Sequence, residues 1–172
     1  MKFRCSVDID LSRDKVVELF DNPDNMQHWQ DGFVSFEHIS GTPGEVGAQS
    51  HVTYDMRGKK MVLLETVTVK NLPNAFHGTY QGDFGKNTMH NYFEVLDPNK
   101  TRWRAELDYI QMNGFMMKMM ARLMPGMFRK QTQKWMDQFK EWSEEQISEN
   151  RDQIAEIREQ IADNRKQRSE SR

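Results

Sequence analysis

Several polar side chains fall where a plain hydrophobic core has no use for them. Tyr54 is in phase with Val52 and Met56, Glu65 with Leu63, Val67 and Val69, Asn91 with Met89, Phe93 and Val95, and Tyr109 with Trp103, Ala105 and Leu107. Alternation at period two sends such positions to one face of a strand, so each polar group is carried to the apolar side. Tyr80 joins them if its segment points Phe76, Gly78 and Tyr80 inward. A buried polar group costs free energy unless it finds a hydrogen-bond partner. Two readings stay open. Either Glu65 and Asn91 bond each other or water, or lie at the rim of a sheet, or a few polar groups converge in a greasy pocket and orient a ligand. If a reaction occurs there, Glu65 is the candidate acid or base and Tyr54 or Tyr109 the oxyanion donor. The residues alone assign no catalytic group.

Other chemistries lack their residues. The five histidines are scattered, and no pair has the i,i+4 spacing of a helical zinc motif, so no metal ligand is assigned. Cys5 is the only cysteine, which excludes an intrachain disulfide and any paired-thiolate site. The stretch Gly41-Thr-Pro-Gly44-Glu-Val-Gly47 lacks the Lys-Ser/Thr of a phosphate loop and leads into a strand, so it reads as a hairpin loop. There is no Gly-x-Ser-x-Gly elbow, and no cofactor is expected. With 24 basic and 26 acidic residues the net charge is −2, and a nucleic-acid partner is not expected. The greasiest stretch, Met112 to Met127, contains Lys118 and Arg122 and cannot span a membrane. Charge interrupts the N-terminus where a signal peptide would be apolar, so a cytoplasmic location is the expectation.

The elements that must position these residues follow from pattern and punctuation. Phe3, Cys5, Val7 and Ile9 alternate with polar residues and predict a first strand. Ser12 stands at the N-cap of a short helix bearing Val16, Val17, Leu19 and Phe20, which Asn22-Pro23 breaks. Asp24 is placed to cap a second short helix with Met26 and Trp29, ended by Gly32. Six strands are predicted next: 33–40, 46–56, 60–72, 75–84, 88–96 and 101–110. Arg57-Gly58-Lys59, Leu72-Pro73-Asn74, Gly85-Lys86-Asn87 and Asp97-Pro98-Asn99-Lys100 supply turns between the last five. Seven strands joined by short turns imply an antiparallel meander and an α+β domain. Asn113 then caps a long helix that Pro125-Gly126 interrupts early. Beyond the break, Phe128, Trp135, Phe139 and Trp142 form one apolar face.

This order of elements resembles the START-like (SRPBCC) superfamily with its helix-grip fold. The matching features are the Val16–Phe20 helix followed by Asn22-Pro23 and Trp29, and Gly44-Glu45-Val46-Gly47 opening the third strand. Val67 followed by Leu72-Pro73, then Thr101-Arg102-Trp103, and Gly114 before the long helix also match. The resemblance covers residues 1–145 and implies a curved seven-stranded sheet that, with the long C-terminal helix, encloses an apolar cavity. The expected lining from the sheet is Tyr54, Met56, Leu63, Glu65, Val67, Tyr80, Asn91, Phe93, Trp103, Leu107 and Tyr109. Met116, Met120 and Leu123 are expected from the helix. The resemblance implies binding or carriage of a small apolar molecule: a lipid, or a quinone-like or polyketide-like compound. Alternatives are a cyclase- or dehydratase-type enzyme on the same fold, and a self-associating interaction protein without a ligand.

Methionine is abundant, 13 in all with five between Met116 and Met124. At 100° per residue the apolar side chains from Phe115 to Met124 cover most of the helix circumference, leaving Lys118 and Arg122 the remainder. That width fits plain core, a methionine-lined gate over the cavity, or a face for another subunit. Residues 146–172 form a charged helical extension. Ile147, Ile154 and Ile161 are seven apart, with Asn150, Ile157 and Asn164 at the alternate heptad positions. A short coiled coil giving a homo-oligomer and a solvated, fraying tail are both compatible with so few heptads, and residues 165–172 are expected to be disordered.

Overall fold

The structure, a computed structural model, describes residues 1–170 except 57 and 125, without the side chains of 116, 117, 120, 121, 150–152 and 163–170. Seven strands build one antiparallel sheet: β1 (Lys2–Ile9), β2 (Phe33–Ser40), β3 (Gln49–Asp55), β4 (Lys60–Asn71), β5 (Ala75–Gly82), β6 (Gly85–Asp97) and β7 (Lys100–Met112). Their spatial order is β1-β7-β6-β5-β4-β3-β2. Strands β2 to β7 meander, and β1 closes beside β7. The first two strands in sequence are therefore the two edges of the sheet. The chain between them crosses the sheet through α1 (Arg13–Phe20), a 3-10 turn (Pro23–Asn25) and α2 (Met26–Trp29). After β7 come α3 (Phe115–Leu123) and α4 (Gly126–Glu170), an interruption that the Pro-Gly pair predicts. No described helix is long and apolar enough to cross a membrane.

Local chemistry adjusts several expected boundaries. Ser12 has the extended backbone of an N-cap, yet its side chain makes no capping bond. Asp24 caps nothing, because it lies inside the 3-10 turn, where its N–H donates to the Asn22 side chain at 3.0 Å. β3 begins at Gln49 rather than Val46, since Ala48 N–H closes a turn on the Glu45 carbonyl and Gly47 N–H reaches Val67 O at 2.8 Å. Gly32 holds φ 78°, and a Cβ there would come within 2.5 Å of the Asp55 carbonyl. Only glycine allows the end of α2 to lie so close to β3.

The core lies on the concave face toward the β1 and β7 edge. Trp103 of β7, Phe93 of β6, Trp29 of α2 and Met136 and Phe139 of α4 are all buried there. Phe20 of α1 meets Phe93 and Trp103 edge-on, with ring centroids 5.0 and 5.2 Å apart, and Phe139 meets Trp103 at 5.3 Å. Edge-to-face pairs of this kind add about 0.5–1.5 kcal/mol each beyond their buried area. The helix face predicted from Phe128, Trp135, Phe139 and Trp142 is the face that packs, joined by Thr132, Met136 and Ser143. Past Ile147, α4 leaves the sheet, and Ile154, Ile157 and Ile161 are exposed.

Candidate functional site

Strand register places five polar side chains in one row across the concave face. Ser50 stands opposite Glu65, Glu65 opposite Tyr80, Tyr80 opposite Asn87, and Asn87 opposite Tyr109. Residues directly opposed on antiparallel strands share a face, with Cβ atoms about 5 Å apart. The row therefore runs continuously from β3 to β7. On one side of it stand Val67, Gly78, Met89 and Leu107. On the other, Val52 stands opposite Leu63 and Tyr54 opposite Met61. The result is a polar lane between apolar flanks.

Glu65 anchors the lane. It is only 8% exposed, and Tyr80 Oη donates to its Oε1 at 2.7 Å. Burial raises the Glu65 pKa by penalising the charged form, while the Tyr80 bond works the other way. Burial chiefly, and the Glu65 charge next, drive the Tyr80 phenol well above its ordinary value. Tyr54 is raised by the same two causes in the same order. Its hydroxyl donates to Gln30 Oε1 at 2.5 Å, and its ring stacks on Trp135 at 5.4 Å. Tyr109, pushed up to about 12 by burial, is held between Phe3 and Phe128 with centroids at 6.0 and 5.0 Å. Among the described residues its hydroxyl has no protein partner. These phenols stay protonated at physiological pH and act as hydrogen-bond donors, not as bases.

The expected lining divides into groups. Tyr54, Leu63, Glu65, Val67, Tyr80, Leu107 and Tyr109 are brought to the lane or its flanks. Asn91, Phe93 and Trp103 lie in the aromatic core. Of the alternatives open for Glu65 and Asn91, a bond between the two does not form: Asn91 Oδ1 accepts from Trp103 Nε1 at 3.0 Å, and Glu65 accepts from Tyr80. Met56 is past the end of β3 and 44% exposed, so it lines nothing on the concave face. Leu123 is turned to solvent as well. The side chains of Met116 and Met120 lie outside the described residues. Val69 and Val95 are also exposed, each next to a register shift that ends strict alternation.

Four contributors escaped the sequence reading. Ser50 is in phase with Val52 and Tyr54, so its signal was present but masked by its polarity. The Gly85-Lys86-Asn87 turn signal hides Asn87, which β6 includes. Gln30 follows α2 and carries no periodic signal. Trp135 stood on the predicted helix face without any indication that it would stack on Tyr54.

Among the described residues, no three His, Cys, Asp or Glu side chains are grouped as a metal ion would need. His77 and His90 stack at 4.4 Å, beside Tyr92 at 5.1 Å from His77. Two depressions of about 470 and 420 Å³ open to solvent along α4 beside Lys130 and Lys134. Neither touches the lane.

No protein-family model and no curated protein matches the sequence. Solved structures do match in fold. The Zhui aromatase/cyclase from Streptomyces aligns with TM-score 0.72 at 9% identity, over 86% of this chain and 95% of that one. A START superfamily protein from Mycobacterium smegmatis gives 0.59 at 16%, over 80% and 97%. The major latex-like protein of Panax ginseng gives 0.63 at 13%, over 83% and 97%. At such identities the likeness is one of fold.

Proposed function

We propose that this chain, whose fold is the START-like helix grip, binds or carries a small, largely apolar molecule bearing a hydroxyl or carbonyl group. The observation that carries the reading is the polar lane of Ser50, Glu65, Tyr80, Asn87 and Tyr109 set into an otherwise apolar face. Apolar flanks contribute affinity through buried area, and a few convergent polar groups fix orientation. Tyr80 and Glu65 hold each other in place. The Tyr80 oxygen retains acceptor capacity, and Tyr109 retains a donor. A lipid, a quinone-like or a polyketide-like compound fits this description, and the cytoplasm, where Cys5 stays reduced, is the compartment we assign. Native mass spectrometry of gently purified full-length protein tests the reading. Added mass that leaves on activation identifies the ligand, and its loss in Tyr80→Phe and Tyr109→Phe locates it. Bare protein after incubation with a lipid extract rejects it.

The buried Glu65 carboxyl with its raised pKa favours a second reading, a cyclase- or dehydratase-type reaction in which Glu65 exchanges the proton. Glu65→Gln then abolishes turnover and leaves binding. Full turnover in that variant removes Glu65 from any such role. Exposed Ile154, Ile157 and Ile161 further suggest that a second copy packs along α4. Deleting residues 146–172 should lower the mass seen in sedimentation, and an unchanged mass dismisses that contact.

A further inference from the structure

Helix α3 turns an apolar ridge away from the protein. Phe115, Met119 and Leu123 follow at four-residue steps, the spacing that stacks side chains on one helix face. All three are exposed, Phe115 by 82% and Leu123 by 70%. Lys118 and Arg122, also four apart, form the neighbouring ridge and are exposed too. The start of α3 is tied to the β5–β6 turn, where Asn113 N–H donates to the Phe84 carbonyl at 3.0 Å. Phe84 and Ile110 are exposed at this same end of the sheet. The charge here departs from that of the whole chain. No acidic residue occurs between Asp108 and Asp137, while Lys118, Arg122, Arg129, Lys130 and Lys134 do, in a chain of net charge −2.

We propose that α3 docks the protein on the surface of an anionic lipid bilayer. The Phe115–Met119–Leu123 ridge enters the headgroup–acyl boundary, and Lys118 and Arg122 meet the phosphates. Nine residues are far too few to span a bilayer, but an apolar ridge flanked by cations suits a helix lying in the interface. Charge selects the bilayer over a second copy of this chain. A two-fold contact would set Lys118 and Arg122 of one copy against the same residues of the other, whereas anionic headgroups neutralise them. Docking stands on α3 and its charge, independently of any ligand in the polar lane.

Flotation of the full-length protein with vesicles tests the proposal, using phosphatidylcholine alone and phosphatidylcholine mixed with phosphatidylglycerol. Flotation is expected with the mixed vesicles only, and is expected to weaken as salt screens the headgroups. Each basic residue near such a surface contributes roughly fivefold to partitioning, so the double variant Lys118→Glu, Arg122→Glu should lose at least about tenfold. Phe115→Ser with Leu123→Ser should fall comparably in low salt. These side chains are exposed, so unchanged circular dichroism and thermal midpoint are expected in both variants. Absence of flotation, equal flotation with neutral vesicles, or wild-type flotation by both variants overturns the proposal. A concentration-dependent dimer that Phe115→Ser, Leu123→Ser breaks, without vesicle binding by the parent, overturns it in favour of self-association.

Discussion

The concave face of this sheet carries two regions built to different rules. Toward the β1–β7 edge, Phe20, Trp29, Phe93, Trp103 and Phe139 fill the space with aromatic contacts. The polar group among them, Asn91, is bonded to the Trp103 indole. Toward β3, β4 and β5 the same face carries Ser50, Glu65 and Tyr80, with Tyr54 held by Gln30 and Trp135. In the first region polarity is enclosed by packing and serves the fold. In the second, polar groups lie side by side with bonding capacity left over. The contrast separates a buried polar residue whose bonding is used up in the core from one that keeps bonding capacity to spare, although both sit among apolar neighbours in sequence.

Truncation in the aromatic region should break the contrast most severely. Phe139→Ala removes a fully buried ring from α4 and should cost about 3–5 kcal/mol in chemical denaturation. A loss below ~1 kcal/mol would mean that the region repacks freely. Asn91→Ala is next: it leaves the Trp103 N–H without its acceptor, and a loss of roughly 1–3 kcal/mol is expected. Intrinsic tryptophan fluorescence should shift with it. Tyr54→Phe keeps the stack on Trp135 and deletes the bond to Gln30, so about 1 kcal/mol should be lost in the same assay.

Glu65→Gln is expected to have the smallest effect on stability and a distinct pH signature. Because the folded pKa of Glu65 lies above its ordinary value of 4.5, the native state holds the proton where the unfolded chain has released it. Stability of the parent therefore falls as pH rises from about 4.5 to the raised folded value, and levels off above it. Below that window Glu65 is neutral in both states and adds no such dependence. Glu65→Gln should flatten this part of the profile, giving denaturation midpoints that diverge from the parent as pH rises. Parallel profiles would mean that Glu65 is not desolvated.

Much of the fold was legible because alternation and turn chemistry are local. Seven strands, two short helices before β2 and an interruption between Leu123 and Gly126 were all readable from neighbours a few residues apart. The inward faces were also legible, since a strand of period two leaves little choice of which set of residues is buried. Val69 and Val95 escaped because a register shift moves a side chain without altering the apolar pattern.

Pair formation is where the sequence stops. That Glu65 would take Tyr80, and Asn91 take Trp103, depends on which strands become neighbours and at what register. Bonds such as Tyr54 to Gln30, joining β3 to the end of α2, depend on the helix crossing as well. Period and turn chemistry specified the strands, most of their inward faces and part of the polar set those faces carry, with Ser50 and Asn87 missed. Only the tertiary structure decided which of these residues are locked into the core and which line up as a lane, because hydrogen bonds and close packing act over a few ångströms in space between residues far apart along the chain.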